Sequence, residues 1–229
     1  VMVDQVEALL REQYILGQEK VEAELKALQS QINPHFLYNT LDMINWMSQK
    51  KESENIRSVV QAMSRFYRLT LSKGRDIVSI RDEVEMCEAY MEIQKRRYRG
   101  RICYEVEVDG DILDCLIPKI TLQPFLENAI IHGINEKADG RGMVILNGWM
   151  EDGRITLSVT DDGEGMTQED KKKSHQGSHY GLSNIEHRLE LFFGESIPVQ
   201  VESSPGIGTC VIINIPVRTE AEEAVEHEK

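Results

Sequence analysis

The feature that most constrains this chain is a change in the spacing of its apolar residues near Gly74. Before it, they recur every three or four positions. Leu25, Leu28 and Ile32 lead into Phe36, Leu37, Leu41, Ile44 and Met47; after a polar stretch over 48–54 come Ile56, Val59, Val60, Met63, Phe66, Tyr67 and Leu71. That step places side chains on one face of a helix. After Gly74 several segments alternate apolar and polar residues, as in Ile102-Cys-Tyr-Glu-Val-Glu-Val108, which is the period of a half-buried strand. One chain therefore holds a helical part and a sheet-containing part, with a boundary predicted between Lys73 and Ile77.

In the helical part, two long segments joined by a short polar turn predict a helical hairpin, with Gly74 as C-cap of the second. A lone hairpin buries little apolar surface. Pairing with a second copy into a four-helix bundle solves this, and packing against the rest of the chain is the alternative. Upstream, Val3, Val6 and Leu10 show a related seam with a phase break near Gly17, a coiled-coil-like entry. In the second part, Ser79 with Asp82 three residues on predicts the N-cap of a helix over 79–98. Further helices are expected over 120–132 and 182–193, and strands over 143–150, 154–160, 199–202 and 209–216. Adjacent strands joined by tight turns favour an α+β fold, a mixed sheet with helices on one face.

Net charge is -13, which removes the basic excess a general nucleic-acid binder needs. The four cysteines, Cys87, Cys103, Cys115 and Cys210, form no C-x-x-C pair, so no zinc site or disulfide framework is indicated and a reducing compartment fits. No apolar run reaches the roughly 18 residues of a membrane span. The chain opens at Val1 inside a helical pattern, so a fragment of a longer protein is expected.

Four stretches carry candidate chemistry. Asp161-Asp-Gly-Glu-Gly165 follows a strand; an aspartate there can accept from an amino group, and glycines let backbone approach a ligand. Gly206-Ile-Gly-Thr209 leads into the last strand. Gly181-Leu182-Ser-Asn184 opens a helix, where N–H groups suit phosphate. Glu127, Asn128 and His132 lie on the helix after Leu122-Gln-Pro124, with Asn128 and His132 four apart and hence on one face. Taken singly, the first two read equally well as ordinary turns and the last as a solvated helix face.

In order and spacing these stretches resemble the N, G1, G2 and G3 boxes of the GHKL ATPase superfamily. Leu28-Gln-Ser-Gln-Ile-Asn-Pro-His35-Phe-Leu-Tyr-Asn-Thr-Leu41 resembles the phosphoacceptor box of LytS/YesM-type sensor histidine kinases, and Ile117-Pro-Lys-Ile-Thr-Leu-Gln-Pro-Phe-Leu-Glu-Asn-Ala129 fits the same group. The resemblance covers about residues 25–217. It implies a signalling coiled coil over 1–24, a dimerisation and phosphotransfer hairpin over 25–75, a GHKL (Bergerat) ATP-binding sandwich over 76–217 and an acidic tail over 218–229.

It also implies roles. His35 is the phosphoacceptor, Asn128 the magnesium ligand and Asp161 the adenine reader. His132, Gly163, Gly165, Gly181, Leu182, Gly208 and Thr209 complete the ATP site, and the stretch from Thr167 to Tyr180 is its lid. Asn39, one turn after His35, stands where related kinases position a water to dephosphorylate their regulator. Implied with these are ATP and magnesium as cofactors, a homodimer formed through the hairpin, and a response-regulator aspartate as acceptor. No direct nucleic-acid contact is implied. Membrane attachment would come only through a sensor region outside this sequence, the chain being the cytoplasmic portion of a bacterial membrane protein.

Relatives that hydrolyse ATP place a water-activating glutamate one turn before the asparagine. Here Pro124 holds that position, while Glu127, beside Asn128, could orient the metal's water shell. Three departures from the pattern stand out: Ile131 replaces a lysine, His179 replaces a glycine, and Phe36 rather than an acid follows His35. The Lys171-Lys-Lys173 run is a candidate substitute for the missing cation, although such runs usually face solvent. The first two departures keep open a degenerate module acting mainly as a regulator phosphatase. A purely structural dimerisation protein is the third reading.

Overall fold

The computed structural model describes residues 34–71, 76–167 and 179–220. The expected coiled coil over 1–24, Gly74, most of the lid with its lysine run, and most of the acidic tail lie outside them. The chain divides into two compact units, Val1–Trp46 and Met47–Lys229. Helix α1, Pro34–Gln49, supplies the described part of the first through its residues up to Trp46.

Within the second unit, α2 (Ser53–Thr70) buries Val59, Ala62, Phe66 and Thr70, a stripe at steps of three and four. Its partner is α3 (Ile80–Arg97), which follows the short strand β1 (Ile77–Ser79). The Phe66 and Tyr90 rings lie 6.2 Å apart across this contact. Glu92 accepts from Ser58 Oγ at 2.6 Å and from Arg65 Nη2 at 2.7 Å. Ser79 caps α3 as predicted, its hydroxyl accepting from Asp82 N at 3.1 Å.

Next come β2 (Ile102–Val108), β3 (Leu116–Pro118), α4 (Gln123–Asn128), β4 (Gly142–Glu151), β5 (Arg154–Asp161), α5 (His179–Phe193), β6 (Gln200–Ser204) and β7 (Gly208–Pro216). The main sheet has order β2-β4-β5-β7-β6; β2 and β4 are parallel and every other pair is antiparallel. The mixed sheet is thus confirmed. Asp152 and Gly153, both at positive φ, make the two-residue hairpin turn between β4 and β5. Val144 and Leu146, then Ile155, Leu157 and Val159, then Val211, Ile213 and Ile215 are buried at alternate positions. That period fixes the register, because a one-residue slip would turn them all to the other face. Within this unit α3 packs against β2, and the helical turn that follows α4 packs against β5 and β7.

Two elements depart from the predictions. β1 and β3 pair as a small antiparallel sheet, Ile77 opposite Pro118, too short to signal itself by alternation. The helix expected over 120–132 begins only at Gln123, because Ile120 takes φ 60° and breaks the path. It also changes pitch after Asn128, where Ala129–Gly133 forms a π-helical turn. His132 therefore does not sit one α-helical turn above Asn128, as the four-residue spacing predicted.

Candidate active site

Two neighbouring aspartates close β5, and their surroundings separate them. Asp162 is structural: its Oδ1 accepts from Met143 N at 2.8 Å, and its carbonyl accepts from Lys137 Nζ at 2.9 Å. Asp161 is 6% exposed. Its Oδ1 accepts from Gly163 N at 2.8 Å, and the Thr209 N–H also bonds its carboxyl, β5 and β7 being paired Asp161 to Thr209. Burial pushes its pKa up from 3.8 to about 6, against the pull of those two N–H groups.

Glycines wall this carboxylate. A Cβ on Gly133 would fall 2.6 Å from Asp161 Oδ1; one on Gly163 would strike the Gly133 backbone, and one on Gly208 the Asp161 carbonyl. Gly208 lies at φ 127°, which only glycine adopts readily. Backbone bonds lock the loops together: Glu164 N donates to Gly133 O at 3.1 Å and Gly206 N to Glu164 O at 2.6 Å. Ser203 Oγ lies 2.8 Å from Thr209 Oγ1 and accepts from Met166 N at 2.8 Å. Asp161, Gly163, Gly165, Gly208 and Thr209 thus come together, and Gly133 joins them. Sequence reading passed over Gly133. Its signal was a glycine directly after His132, where the apolar helix pattern stops.

Asn128 is exposed at the last position of α4. Glu127 is half-buried and its Oε1 accepts from Gln123 Nε2 at 2.8 Å. His132 is exposed, with Nδ1 3.6 Å from Glu136 Oε1. Gly181 and Leu182 fall in the first turn of α5. Ile131, 49% exposed, presents an apolar side chain where the family pattern has a lysine. In the first unit His35 is exposed near the start of α1, and Asn39 Nδ2 lies 3.0 Å from its Nε2 and 3.2 Å from its Nδ1.

A recessed carboxylate that accepts from the Gly163 and Thr209 N–H groups, with Lys137 nearby, is an acceptor suited to an amino group on a flat ligand. The described residues contain no group of three or more His, Cys, Asp or Glu able to hold a metal ion. Any metal here would take most of its ligands from the nucleotide and water.

The family model "Histidine kinase" matches residues 23–102, and that for "Histidine kinase-, DNA gyrase B-, and HSP90-like ATPase" matches 117–219. The sensor histidine kinase YesM of Bacillus subtilis is 38% identical over 199 residues, covering 87% of this chain and 34% of that protein. The chain belongs to the sensor histidine kinases. The sensor protein LytS of Oceanobacillus iheyensis is 32% identical over 207 residues, 86% of this chain and 35% of its own. The chain thus spans about a third of the length of these curated relatives. The histidine kinase domain of a blue-light activated histidine kinase from Erythrobacter litoralis covers 92% of this chain and 97% of its own at 20% identity and a TM-score of 0.49. So low a score adds nothing to the assignment.

As in other members of the histidine kinase and GHKL families, the ATPase part accounts for nucleotide use, and its α/β sandwich is the one predicted. Among the described residues no helix is long and apolar enough to cross a membrane.

Proposed function

We propose that this chain is the catalytic part of a two-component sensor kinase: it binds magnesium-ATP, takes the terminal phosphoryl group onto His35, and passes it to an aspartate of a response regulator. The observation that carries the reading is Asp161. Its ionised form is disfavoured by burial, yet it is kept at a strand end against Gly133, Gly163 and Gly208, whose missing side chains let the backbone pack close around it. A carboxylate there accepts from the exocyclic amino group of adenine and repels the carbonyl of guanine.

In this reading Asn128 lends a neutral oxygen to the magnesium that also holds the phosphates, and Glu127 orients the metal's water shell. His132, Gly163, Gly165, Gly181, Leu182, Gly208 and Thr209 line the nucleotide. Bound ATP supplies the phosphoryl group. The chain's own task is to present a neutral imidazole in line, since phosphoryl transfer asks mainly for placement and charge neutralisation. The attacking ring nitrogen must have its lone pair free, so the Asn39 amide, now beside both nitrogens, has to leave that one. Asn39 is then placed to hold a water for the reverse task, removing phosphate from the regulator. The segment over 25–75 is the dimerisation and phosphotransfer hairpin, two copies pairing through it, and 76–217 is the ATP-binding domain. Attachment to a membrane belongs to a sensor region in the longer protein.

The exposed Ile131 favours one competing reading, a module that binds nucleotide weakly and acts mainly as a phosphatase. Incubation with γ-labelled ATP and magnesium decides. Acid-labile, alkali-stable label, absent from His35→Gln, is the expected result. Nucleotide binding without label favours the phosphatase, and label that survives in His35→Gln sinks the proposal.

A further inference from the structure

The turn that launches the asparagine-bearing helix has a conformation its own residues resist. Ile120 sits at φ 60°, and for a β-branched residue the left-handed region is an outlier. Something outside the turn must hold it. Two side chains from other helices do. Glu83 of α3, 1% exposed, accepts from Ile120 N at 2.9 Å through Oε2 and from Leu122 N at 2.8 Å through Oε1. Arg188 of α5 donates from Nη1 to Lys119 O at 2.6 Å and from Nη2 to Ile120 O at 2.8 Å. A third tie joins the same turn to the end of α2, where Lys119 Nζ donates to Thr70 O at 2.6 Å.

The consequence reaches Asn128. The Leu122 carbonyl accepts from Phe125 N and Leu126 N, so the residue gripped by Glu83 at its N–H begins α4 at its C=O. The α-helical turns end at Asn128 and pass directly into the π-helical turn over Ala129–Gly133, so the point where the helix starts sets where Asn128 falls along it. Burial raises the Glu83 pKa, and the bonded N–H groups with nearby Arg188 oppose that shift, as for a carboxylate held in place by its partners.

We propose that Glu83 and Arg188 are positioning residues for the metal: from two other helices they fix the left-handed turn at Ile120 and so aim Asn128. This rests on the reading of Asn128 as magnesium ligand. A purely structural role would weaken the fold without singling out the metal.

The test is the affinity of the full chain for ATP, by calorimetry, with magnesium and with EDTA. Arg188→Lys keeps the charge but cannot span two carbonyls with one ammonium. Its magnesium-dependent gain in affinity is expected to fall by about tenfold, the order of loss seen when supports of metal ligands are removed, while affinity in EDTA stays within about twofold. Adding Ile120→Asn, which accepts positive φ more easily, is expected to restore part of the gain. Amide exchange of the free protein gives a second readout, with faster exchange expected over 119–128 and unchanged rates in β4 and β5. Should Arg188→Lys not fold, Glu83→Gln, which keeps one acceptor, goes through the same measurements. A folded variant that keeps the full magnesium gain, or loses affinity equally with and without magnesium, overturns the proposal. A parent chain whose affinity ignores Asn128→Ala overturns the metal-ligand reading itself and this inference with it; that failure is recognised because it needs no change in the turn.

Discussion

Two buried carboxylates stand at loops of the same unit, and they are solved in opposite ways. Glu83 is surrounded by what it needs: two N–H groups across a turn, with a guanidinium gripping the far side. Asp161 has one backbone N–H from its own loop, at Gly163, one from Thr209 on β7, and glycines at positions where a side chain would clash. Burial raises the pKa of both. One is a clamp that fixes a turn between helices; the other ends a strand with three glycines packed against it. A buried carboxylate with a raised pKa, packed against glycine backbone at a strand end, is where a ligand is to be sought.

The strongest way to break this contrast is Asp161→Asn. The amide oxygen can still accept from Gly163 N, so the loop should survive. Losing a charge-assisted hydrogen bond to the adenine amino group should weaken ATP by about 10- to 100-fold, from roughly 1.5–3 kcal/mol. The nucleotide-free variant should melt higher than the parent at pH 7.5, because a buried charge has gone. Calorimetry and a thermal melt on the same sample check both. Unchanged ATP affinity would make Asp161 as structural as Asp162.

Glu83→Ala should do the reverse. It strands the Ile120 and Leu122 N–H groups, and a buried unsatisfied donor costs roughly 1–3 kcal/mol. Relief of the buried charge offsets part of this, so a net loss of about 2 kcal/mol in denaturant unfolding is expected. A variant as stable as the parent would show that these bonds contribute little.

The pH dependence sharpens the same contrast. The folded pKa of Asp161, about 6, lies above the ordinary 3.8. Between those values the folded chain holds more protons than the unfolded one, so stability falls as pH rises. The contribution of the neutral acid is whole below about 4 and gone above about 6. Glu83 acts with the same sign, so the difference between parent and Asp161→Asn melting curves isolates Asp161. ATP affinity should move oppositely, falling as pH drops through about 6 and the acceptor is protonated. Parallel melting curves would remove the shift.

The sequence was legible where chemistry and conformation agreed. Alternation and turn residues located the five strands of the main sheet, while Asp161, Gly163 and Gly208, ordinary turn residues when taken singly, stood out only through the order and spacing of the family boxes. It was opaque where tertiary contacts override local preference. Ile120 belongs by preference in a strand or helix, and nothing in its own neighbourhood says that Glu83, 37 residues away, and Arg188, 68 residues away, will hold it left-handed. The apolar rhythm over 120–132 therefore read as one helix, and neither clamping residue drew notice. Gly133 was missed for a milder reason, since its meaning depends on Asp161 lying against it.

The smallest expected effect tests whether the clamp can be loosened from a distance. Ser79 caps α3 one turn before Glu83, accepting from Asp82 N. Ser79→Ala should cost about 1 kcal/mol, the usual value of a lost N-cap. Fraying the first turn of α3 should also let Glu83 wander, so amide exchange should quicken at Ile120 and Leu122 while Gly163, bonded to Asp161, keeps its rate. Equal acceleration at both places would mean that the two carboxylates share one cooperative unit. The contrast between a clamp and a glycine-packed strand end would then be geometric only, with no separate stability behind it.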